Sequence, residues 1–257
     1  MDLSAIAAEH LATFFLVFAR VGGVFALAPV FASRLVPMRI RLVLALAVSL
    51  VAVPAAENHP VAFEPALLAP LLLKEALVGT ALAFGVAGVF AAVEMAGSLL
   101  DTTIGFAMAN VVDPSMNFNA TVISSFYGML ASLVFLGTGA HQMLIAGVVR
   151  SFDVLPVNQT PDLQTFGRAG AEALVPMFGI ALEIAAPVIA TLFLTDVGFG
   201  LLARLVPQLQ PMAVQFSVKI LVGLTVMALS LPVTLQLVAS QFDSALASGG
   251  MFGGIGP

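Results

Sequence analysis

The sequence predicts an all-α integral membrane protein with about six to eight long, kinked hydrophobic helices. Of its 257 residues, 60% are hydrophobic and only 9% are charged, and the mean hydropathy is +1.10. A soluble domain typically carries about 25% charged residues. Several apolar runs approach or exceed the roughly 20 residues that a helix needs to cross a bilayer. Prolines in these runs predict kinks or breaks; they are Pro29, Pro54, Pro176, Pro187 and Pro232.

In the first half of the chain, apolar runs alternate with short polar connections. Leu11 to Ser33 is the first candidate span, and Leu42 to Ala56 is a second that is short for a span. The connection between them holds the densest positive cluster, which consists of Arg34, Arg39 and Arg41. After a polar loop from Glu57 to Pro65, a long helix is predicted over Ala66 to Val93, continuing towards Asp101.

The middle of the chain contains one apolar run that is too long for a straight span. Ala120 to Val149 is uncharged for 30 residues. At about 1.5 Å per residue it exceeds the roughly 30 Å hydrocarbon core, which predicts a tilt or a break near Gly137 and Gly139. Ser151 to Ala171 is predicted as the main polar connection, and Ala173 to Thr195 as the fifth span.

The last part of the chain is predicted to add one more span and a tail. Asp196 to Pro211 is a second polar break, and Met212 to Ser240 is the sixth span. Residues 1–240 are therefore predicted to form a single helical membrane domain. Residues 241–257 are predicted to be a flexible tail because glycine is frequent there.

Positive charge does not define a simple topology. If the connection around Arg39 faces the cytoplasm, as the positive-inside rule requires, simple alternation places Arg150 and Arg168 outside and Arg204 inside. Positive residues then lie on both sides of the membrane. Two explanations stay open: one apolar run is a hairpin rather than a span, or the helices do not cross the bilayer in the ordinary way.

Six ionisable residues lie within or at the ends of apolar helices: Arg20, Lys74, Glu75, Glu94, Glu183 and Lys219. Each costs about 2.5–3.5 kcal/mol at a helix centre on insertion scales. One interpretation is an ion or proton relay. The other is that these residues pair between helices of a complex, or extend their charged ends to the membrane–water interface from near a helix end. Pairing is favoured because the charges are scattered and form no carboxylate cluster. Lys74 and Glu75 are adjacent, so they are predicted to point apart.

The stretch from Glu94 to Asn119 interrupts the apolar pattern. Its first part is predicted to be helical, because four residues fall close to one face at roughly four-residue intervals: Glu94, Gly97, Asp101 and Gly105. Pro114 then disfavours the helical conformation at Asp113, which predicts a loop. A polar loop at membrane depth is stable only when it is buried in protein or lies beside water. We therefore expect this loop to lie in or beside a passage.

Catalytic and metal-binding patterns are not found in the sequence. There is no cysteine, and no H-E-x-x-H, Walker or G-x-S-x-G motif occurs. The three histidines, His10, His59 and His141, lie in different parts of the chain. The sequence therefore predicts neither an enzyme nor a bound metal or cofactor.

Besides a protein with a passage, two further function classes stay open. Broken helices at Pro187 and around Gly137 to Gly139 are compatible with a secondary solute transporter, although no internal repeat supports it. An intramembrane enzyme acting through Asp101, Asp113 or His141 lacks a recognisable set of nucleophile, base and orienting group.

Six segments follow one another in the order found in a known family. They read ARVGGVFALAP, VPMRIR, LLLKEALVGTALAFG, EMAGSLLDTTIGFAMANVVDPS, HQMLIAGVVRSFDVLP and APVIATLFLTDVGFGLLARLVPQ. On these segments, from Ala19 to about Pro232, the chain resembles the FliR family of flagellar export-gate subunits, which has homologues in virulence injectisomes. Glu75 and Gly79 match an E-x-x-x-G pattern of that family.

The resemblance implies a channel-forming, non-enzymatic subunit of the bacterial flagellar type III protein export apparatus. Such a subunit assembles with FliP and FliQ homologues into an export gate of tilted helical hairpins, together with FlhB and FlhA. Its implied place is the inner membrane at the flagellar basal body, where unfolded export substrates pass through the gate. An injectisome homologue is the alternative within the same family.

The resemblance also implies roles for three groups of residues. A loop of the subunit closes the pore, and the matching positions are Phe106, Met108, Asn110, Asp113, Pro114, Met116, Asn117 and Phe118. Helix packing is expected at Glu75, Gly79, Glu94, Gly97, Asp101 and Gly105. A partner-contact loop is expected at Arg204, Pro207, Gln208 and Lys219.

The chain departs from the family pattern after the PQ pair. Gln210 and Met212 occupy the places of Asn and Phe, and Gln215 and Ser217 those of Gly and Pro, whereas Lys219 is retained. A partner surface specific to this lineage is therefore expected there.

Overall fold

The regular secondary structure is entirely α-helical within the residues that the computed structural model describes: 3–33, 35–57, 65–106, 122–160, 163–205 and 211–247. The helices in these ranges are α1 (Leu3–Leu27), α2 (Pro29–Ala32), α3 (Met38–Glu57), α4 (Pro65–Ile104), α5 (Val122–Gly137), α6 (Ala140–Val154), α7 (Leu163–Leu205) and α8 (Pro211–Ala247). The predicted all-α class is confirmed.

Five helical segments are long and apolar enough to cross a membrane: Glu9–Leu27, Met38–Glu57, Leu67–Ile104, Gly170–Leu205 and Val214–Ala247. The number is six if α5 and α6 are counted as one bent span. Helices α4, α7 and α8 contain 40, 43 and 37 residues. At about 1.5 Å per residue they are roughly 55–65 Å long. Helices of this length must tilt steeply or extend beyond the hydrocarbon core.

The predicted break near Gly137 and Gly139 is present. Helix α5 ends at Gly137 and α6 begins at Ala140. Gly139 has a φ angle of 78°, which falls in the left-handed region that glycine adopts without strain. The conformation of Gly139 therefore separates the two helices and allows α6 to start in a new direction.

Two predicted polar connections are much shorter than expected. Helix α7 begins at Leu163, within the predicted connection Ser151 to Ala171, and continues to Leu205 across most of the predicted break that starts at Asp196. Asp196 does not interrupt the helix because its carboxylate is paired with Lys219. Helix α8 likewise extends past residue 240 and ends at Ala247. The burial of Phe242, which is 0% exposed, accompanies this extension.

The prolines inside helices do not end them. Pro54, Pro70, Pro176, Pro187 and Pro232 all lie within helices. Each removes one backbone donor, so the carbonyl four residues earlier loses its helical partner. Pro29 instead stands at the start of α2, where a missing N–H costs nothing.

The chain divides into two compact units. Unit 1 comprises residues 1–88, 136–175 and 242–257, and unit 2 comprises residues 89–135 and 176–241. In unit 1, α3 packs against both α1 and α6. Its apolar core includes Leu16, Val17 and Phe152, each fully buried.

Unit 2 contains two antiparallel helix pairs. In the first, the end of α4 runs beside α5: Asp101 contacts Ser124, and the ring of Phe90 packs edge-on against Phe135 with centroids 5.7 Å apart. In the second, α7 runs beside α8: Asp196 pairs with Lys219, and Leu192 lies beside Gly223. The segment 107–121 connects the two helices of the first pair.

Candidate functional site

The predicted loop begins and ends at one end of the α4–α5 pair, and Asp101 ties the two helices together there. The Asp101 side chain is fully buried in the last turn of α4. Its oxygens accept hydrogen bonds from the backbone N–H groups of Ile123 at 3.1 Å and Ser124 at 2.9 Å. These are free donors in the first turn of α5. A carboxylate at a helix N-terminus also interacts favourably with the helix dipole, so Asp101 caps α5 from the neighbouring helix.

Close approach of the two backbones accompanies this cap. A Cβ atom on Gly97 would lie 2.5 Å from the Cα of Ser124, which leaves no room for a side chain. The hydroxyl of Ser124 donates to the carbonyl of Glu94 at 3.0 Å. The Glu94 carboxylate lies over Gly128, whose added Cβ would be 3.1 Å from Oε1. Glycine is common where membrane helices approach this closely.

Gly105 ends α4 just before the loop. Its φ angle is 108°, and its N–H donates to the carbonyl of Asp101 at 3.1 Å. The ring of Phe216, from α8, lies directly over it, because an added Cβ would meet Cε2 at 2.8 Å. A side chain at Gly105 would therefore face both an unfavourable backbone angle and the ring.

The residues of the predicted plug lie almost entirely outside the described ranges. Phe106 is described and is half-buried at the end of α4. The other predicted plug residues fall in the segment 107–121: Met108, Asn110, Asp113, Pro114, Met116, Asn117 and Phe118. What the structure describes are the two helix ends from which this segment departs.

The predicted partner-contact residues are only partly brought together. Lys219 Nζ lies 2.9 Å from Oδ2 of Asp196, and Gln215 Nε2 donates to Oδ1 of the same carboxylate at 3.0 Å. Gln215 is one of the residues that replace the family pattern, so this chain adds a second donor to the Asp196–Lys219 pair. Arg204 is exposed in the last turn of α7, where a positive charge complements the helix dipole. Pro207 and Gln208 lie outside the described residues.

Unit 1 contains a buried ionic network around Glu75 that sequence reasoning did not assemble. Arg20 and Glu75 are both fully buried, and Arg20 Nε donates to Oε2 of Glu75. The same guanidinium donates to Oγ of Ser151 and to the carbonyl of Leu155, both at 2.9 Å. Its Cζ atom lies 4.0 Å from the centroid of the Phe152 ring, a cation–π distance. The network joins α1, α4 and the end of α6.

The prediction that Lys74 and Glu75 point apart is wrong. Lys74 Nζ lies 2.8 Å from Oε1 of Glu75, an ion pair that forms no well-aligned hydrogen bond. The long lysine side chain bends back because the same ammonium donates to the carbonyls of Val157 at 2.6 Å and Gln159 at 2.9 Å. Three carbonyls after α6 therefore bind to cations from α1 and α4. Of the six ionisable residues flagged in apolar helices, Arg20, Lys74, Glu75 and Lys219 form ion pairs within the chain.

Two glycines allow α1 and α4 to approach closely beside this network. A Cβ atom on Gly79 would overlap the backbone carbonyl of Arg20, and one on Gly23 would overlap the carbonyl of Ala76. The signal for this contact was present in the sequence, since glycines lie near charged residues in both helices. Their partners could not be assigned because Arg20 and Glu75 are 55 residues apart.

The chemistry that these sites can perform is binding and positioning. In the described part of the chain, no group of three or more His, Asp or Glu residues is placed to hold a metal ion. Asp101 is occupied by two backbone donors. The Asp101 cap and the ionic network around Glu75 therefore act through hydrogen bonds and ion pairs that hold helix ends in place.

Comparison with known proteins places the sequence among bacterial transport components. A family described as bacterial export proteins, family 1, matches residues 11–245. Flagellar biosynthetic protein FliR of Bacillus subtilis is 34% identical over 233 residues, which cover 90% of both chains. FliR of Escherichia coli is 32% identical over 213 residues, 83% of this chain and 82% of its own. Surface presentation of antigens protein SpaR of Salmonella typhimurium is 28% identical over 217 residues, 82% of this chain and 80% of its own.

Proposed function

The chain belongs to the family of bacterial export proteins, family 1, and from this membership we propose that it is a channel-forming subunit of the flagellar type III protein export apparatus. The observation that carries the proposal is the match over residues 11–245, which includes nearly every described helix. In this role the protein performs no catalysis. It provides part of a path through which unfolded flagellar proteins leave the cytoplasm.

The flagellar system is favoured over a virulence injectisome by two of the FliR proteins, while FliR of Caulobacter vibrioides and of Aquifex aeolicus, at 27% and 26% identity, are no more similar to this chain than SpaR is. The FliR proteins of Bacillus subtilis and Escherichia coli are 34% and 32% identical to this chain, whereas SpaR of Salmonella typhimurium is 28% identical. The difference is modest, so the injectisome role is the second candidate. Both roles use the same chemistry, namely a helical passage for an unfolded chain.

We further propose that the chain functions within a complex in the bacterial inner membrane, at the flagellar basal body. FliP and FliQ homologues are the expected neighbours in the gate, and FlhB and FlhA are the expected further components. Large apolar side chains are exposed along the long helices, including Leu201 and Leu202 on α7 and Leu221 and Leu229 on α8. Such surfaces need lipid or other subunits to cover them.

The segment 107–121 is proposed to close the passage when no substrate is present. Its flanking helices support this proposal, because Asp101 caps α5 while Gly105 ends α4 at the same end of the pair. The two helix ends that flank the segment are thus held in defined positions. Met108, Met116 and Phe118 within it are suited to sealing an irregular bore, since Met is flexible and polarizable.

Deletion of residues Val112 to Asn119 tests the plug. The variant is expected to assemble like the unmodified chain but to make the membrane permeable to small ions, because the obstruction is removed while the anchors remain. Ion leakage and recovery of co-purified subunits are measured in the same cells. The unmodified chain at equal expression is the control.

Two results separate the parts of the proposal. Unchanged ion permeability together with intact secretion and assembly would contradict the plug but leave the subunit role. If neither the deletion variant nor the unmodified chain recovers any other subunit, and export is lost, the subunit role itself is contradicted.

A further inference from the structure

An open, mainly apolar groove in unit 2 contains one exposed carboxylate, that of Glu183, with no cation beside it among the described residues. The groove lies between α7 and α8, has a volume of about 410 Å³ and is lined on one side by Glu183 and Pro187. Residues of α8 line the other side, where the polar side chains of Ser230, Thr234, Gln236 and Ser240 alternate with the apolar Val233 and Leu237. Among the residues that the structure describes, none forms a hydrogen bond or ion pair with the Glu183 side chain. Glu183 thus differs from Glu75 and Asp196, which are neutralised within the chain.

The backbone adds further acceptor character at this point. Pro187 has no N–H, so the carbonyl of Glu183 lacks its helical donor four residues later. The carboxylate is an acceptor as well, and it favours a donor group that carries positive charge. Glu183 lies inside the apolar segment Gly170–Leu205. An uncompensated carboxylate there is unfavourable, and such residues face a partner, a bundle interior or water.

The surroundings of Glu183 favour a helix as the group that covers it. Three small residues share the helix face of Glu183, because they stand at helical spacing from it. They are Gly179, four residues before, Ala186, three residues after, and Ala190, seven residues after. All three are exposed, and an added Cβ on Gly179 would meet nothing within 4 Å. Small residues on an exposed membrane helix allow the backbone of another helix to approach closely. Lipid chains offer no donor to a carboxylate.

We propose that this groove seats an apolar helix of a neighbouring gate subunit that presents one lysine or arginine to Glu183. The proposal rests on the proposed function, since it requires other gate subunits. The charge identifies the partner, because a cation satisfies the Glu183 carboxylate. Exposed apolar residues beside the groove, such as Phe178, Leu182 and Val233, would cover the rest of that helix.

The first test compares charge variants in the assembled complex. The tagged chain is co-expressed with its gate subunits and recovered in mild detergent. Glu183→Lys is expected to reduce recovery of at least one subunit at least about tenfold, because like charges in a desolvated contact repel. Glu183→Gln is expected to give a smaller loss. Glu172→Lys is the matched control, because Glu172 lies on the same helix with its side chain 66% exposed, and it should recover subunits normally.

A second measurement covers the case in which the charge reversal prevents folding. The chain has no cysteine, so Glu183→Cys introduces a single thiol. Maleimide labelling of this thiol is expected to be fast in the chain expressed alone and slowed at least about tenfold in the complex, since a seated helix excludes the reagent. Glu172→Cys should react equally in both.

Equal labelling of Glu183→Cys with and without the other subunits would overturn the docking proposal, and so would unchanged recovery of every subunit by Glu183→Lys. An unmodified chain that recovers no subunit would instead refute the proposed function, and the docking proposal with it.

Discussion

Arg20 has the largest set of buried polar contacts among the residues described in unit 1. Its guanidinium binds the Glu75 carboxylate, the Ser151 hydroxyl and the Leu155 carbonyl while stacking over Phe152. Lys74 contributes a second positive charge to Glu75 and two further bonds to carbonyls. Because each nitrogen of the Arg20 guanidinium and the Lys74 ammonium has an acceptor, the desolvation cost of these charges is offset by their contacts.

Replacing Arg20 by alanine should destabilise the protein by about 3–5 kcal/mol, because it leaves Glu75 buried with only one cation nearby. The Arg20 and Glu75 side chains are both 0% exposed. The measurement is thermal or denaturant unfolding in detergent. Arg168→Ala is the control: the Arg168–Glu172 pair is 82% and 66% exposed, and a surface pair contributes about 0–1 kcal/mol. Similar losses for both variants would contradict a special role for the buried network.

Asp101 illustrates how one side chain can organise two elements. It is a residue of α4, yet it caps α5 through two backbone donors 22 and 23 residues later in the sequence. Capping of this kind contributes about 0.5–2 kcal/mol to a helix. The buried side chain thereby holds the start of α5 beside the end of α4.

The helices of this protein approach one another through glycine. Gly97 lies against Ser124 of α5, and Gly79 lies against the backbone of Arg20 in α1. Other helical glycines have open space around them, as at Gly147 in α6. The same residue type therefore packs against a neighbouring helix of the chain at some positions and not at others.

Gly97→Ala should destabilise the protein, whereas Gly147→Ala should not. The added methyl group at residue 97 lies 2.5 Å from the Cα of Ser124, and forcing the helices apart costs about 1–3 kcal/mol. At residue 147 nothing lies within 4 Å, so alanine should be neutral or stabilise by up to about 1 kcal/mol through its helix propensity. Unfolding midpoints of the two variants in the same detergent decide the matter. A Gly97→Ala protein as stable as the parent would show that α4 and α5 are not in close contact.

The length of the helices and their exposed surface determine what the molecule needs around it. Only 22% of the apolar window of α3 and 17% of that of α8 are buried inside the chain, against 61% for α4. Helix α4 is therefore covered mainly by its own chain, whereas α3 and α8 depend on other molecules. This difference is expected of a subunit whose helices contact lipid or neighbouring proteins.

The chain should consequently be more stable within its complex than alone. Partners that bind the folded state raise its apparent stability by mass action, so the melting temperature of the complex should exceed that of the isolated chain by several degrees. Both are measured in one detergent at equal concentration of this chain. Identical melting temperatures, with subunits demonstrably bound in one sample, would show that α3 and α8 are covered by detergent or lipid alone.

Composition and local pattern were sufficient to predict the class of the protein, the break at Gly139 and the helix before the loop. These features depend on interactions within one or two helical turns, so the local sequence pattern is enough to predict them. The helix ends were less predictable. Polar residues such as Asp196 read as breaks in the sequence, but a partner 23 residues away keeps them inside a helix.

Ionic partners were decided only by tertiary packing. Sequence reasoning identified Arg20, Lys74 and Glu75 as unusual and then separated Lys74 from Glu75, which was wrong. Arg20 meets Glu75 55 residues away and Ser151 131 residues away. The free energy of a charge in an apolar helix depends on what lies beside it in space, and a one-dimensional pattern holds no information on contacts over such separations. For the same reason, the unpaired carboxylate of Glu183 became apparent only when its neighbours on α8 were in place.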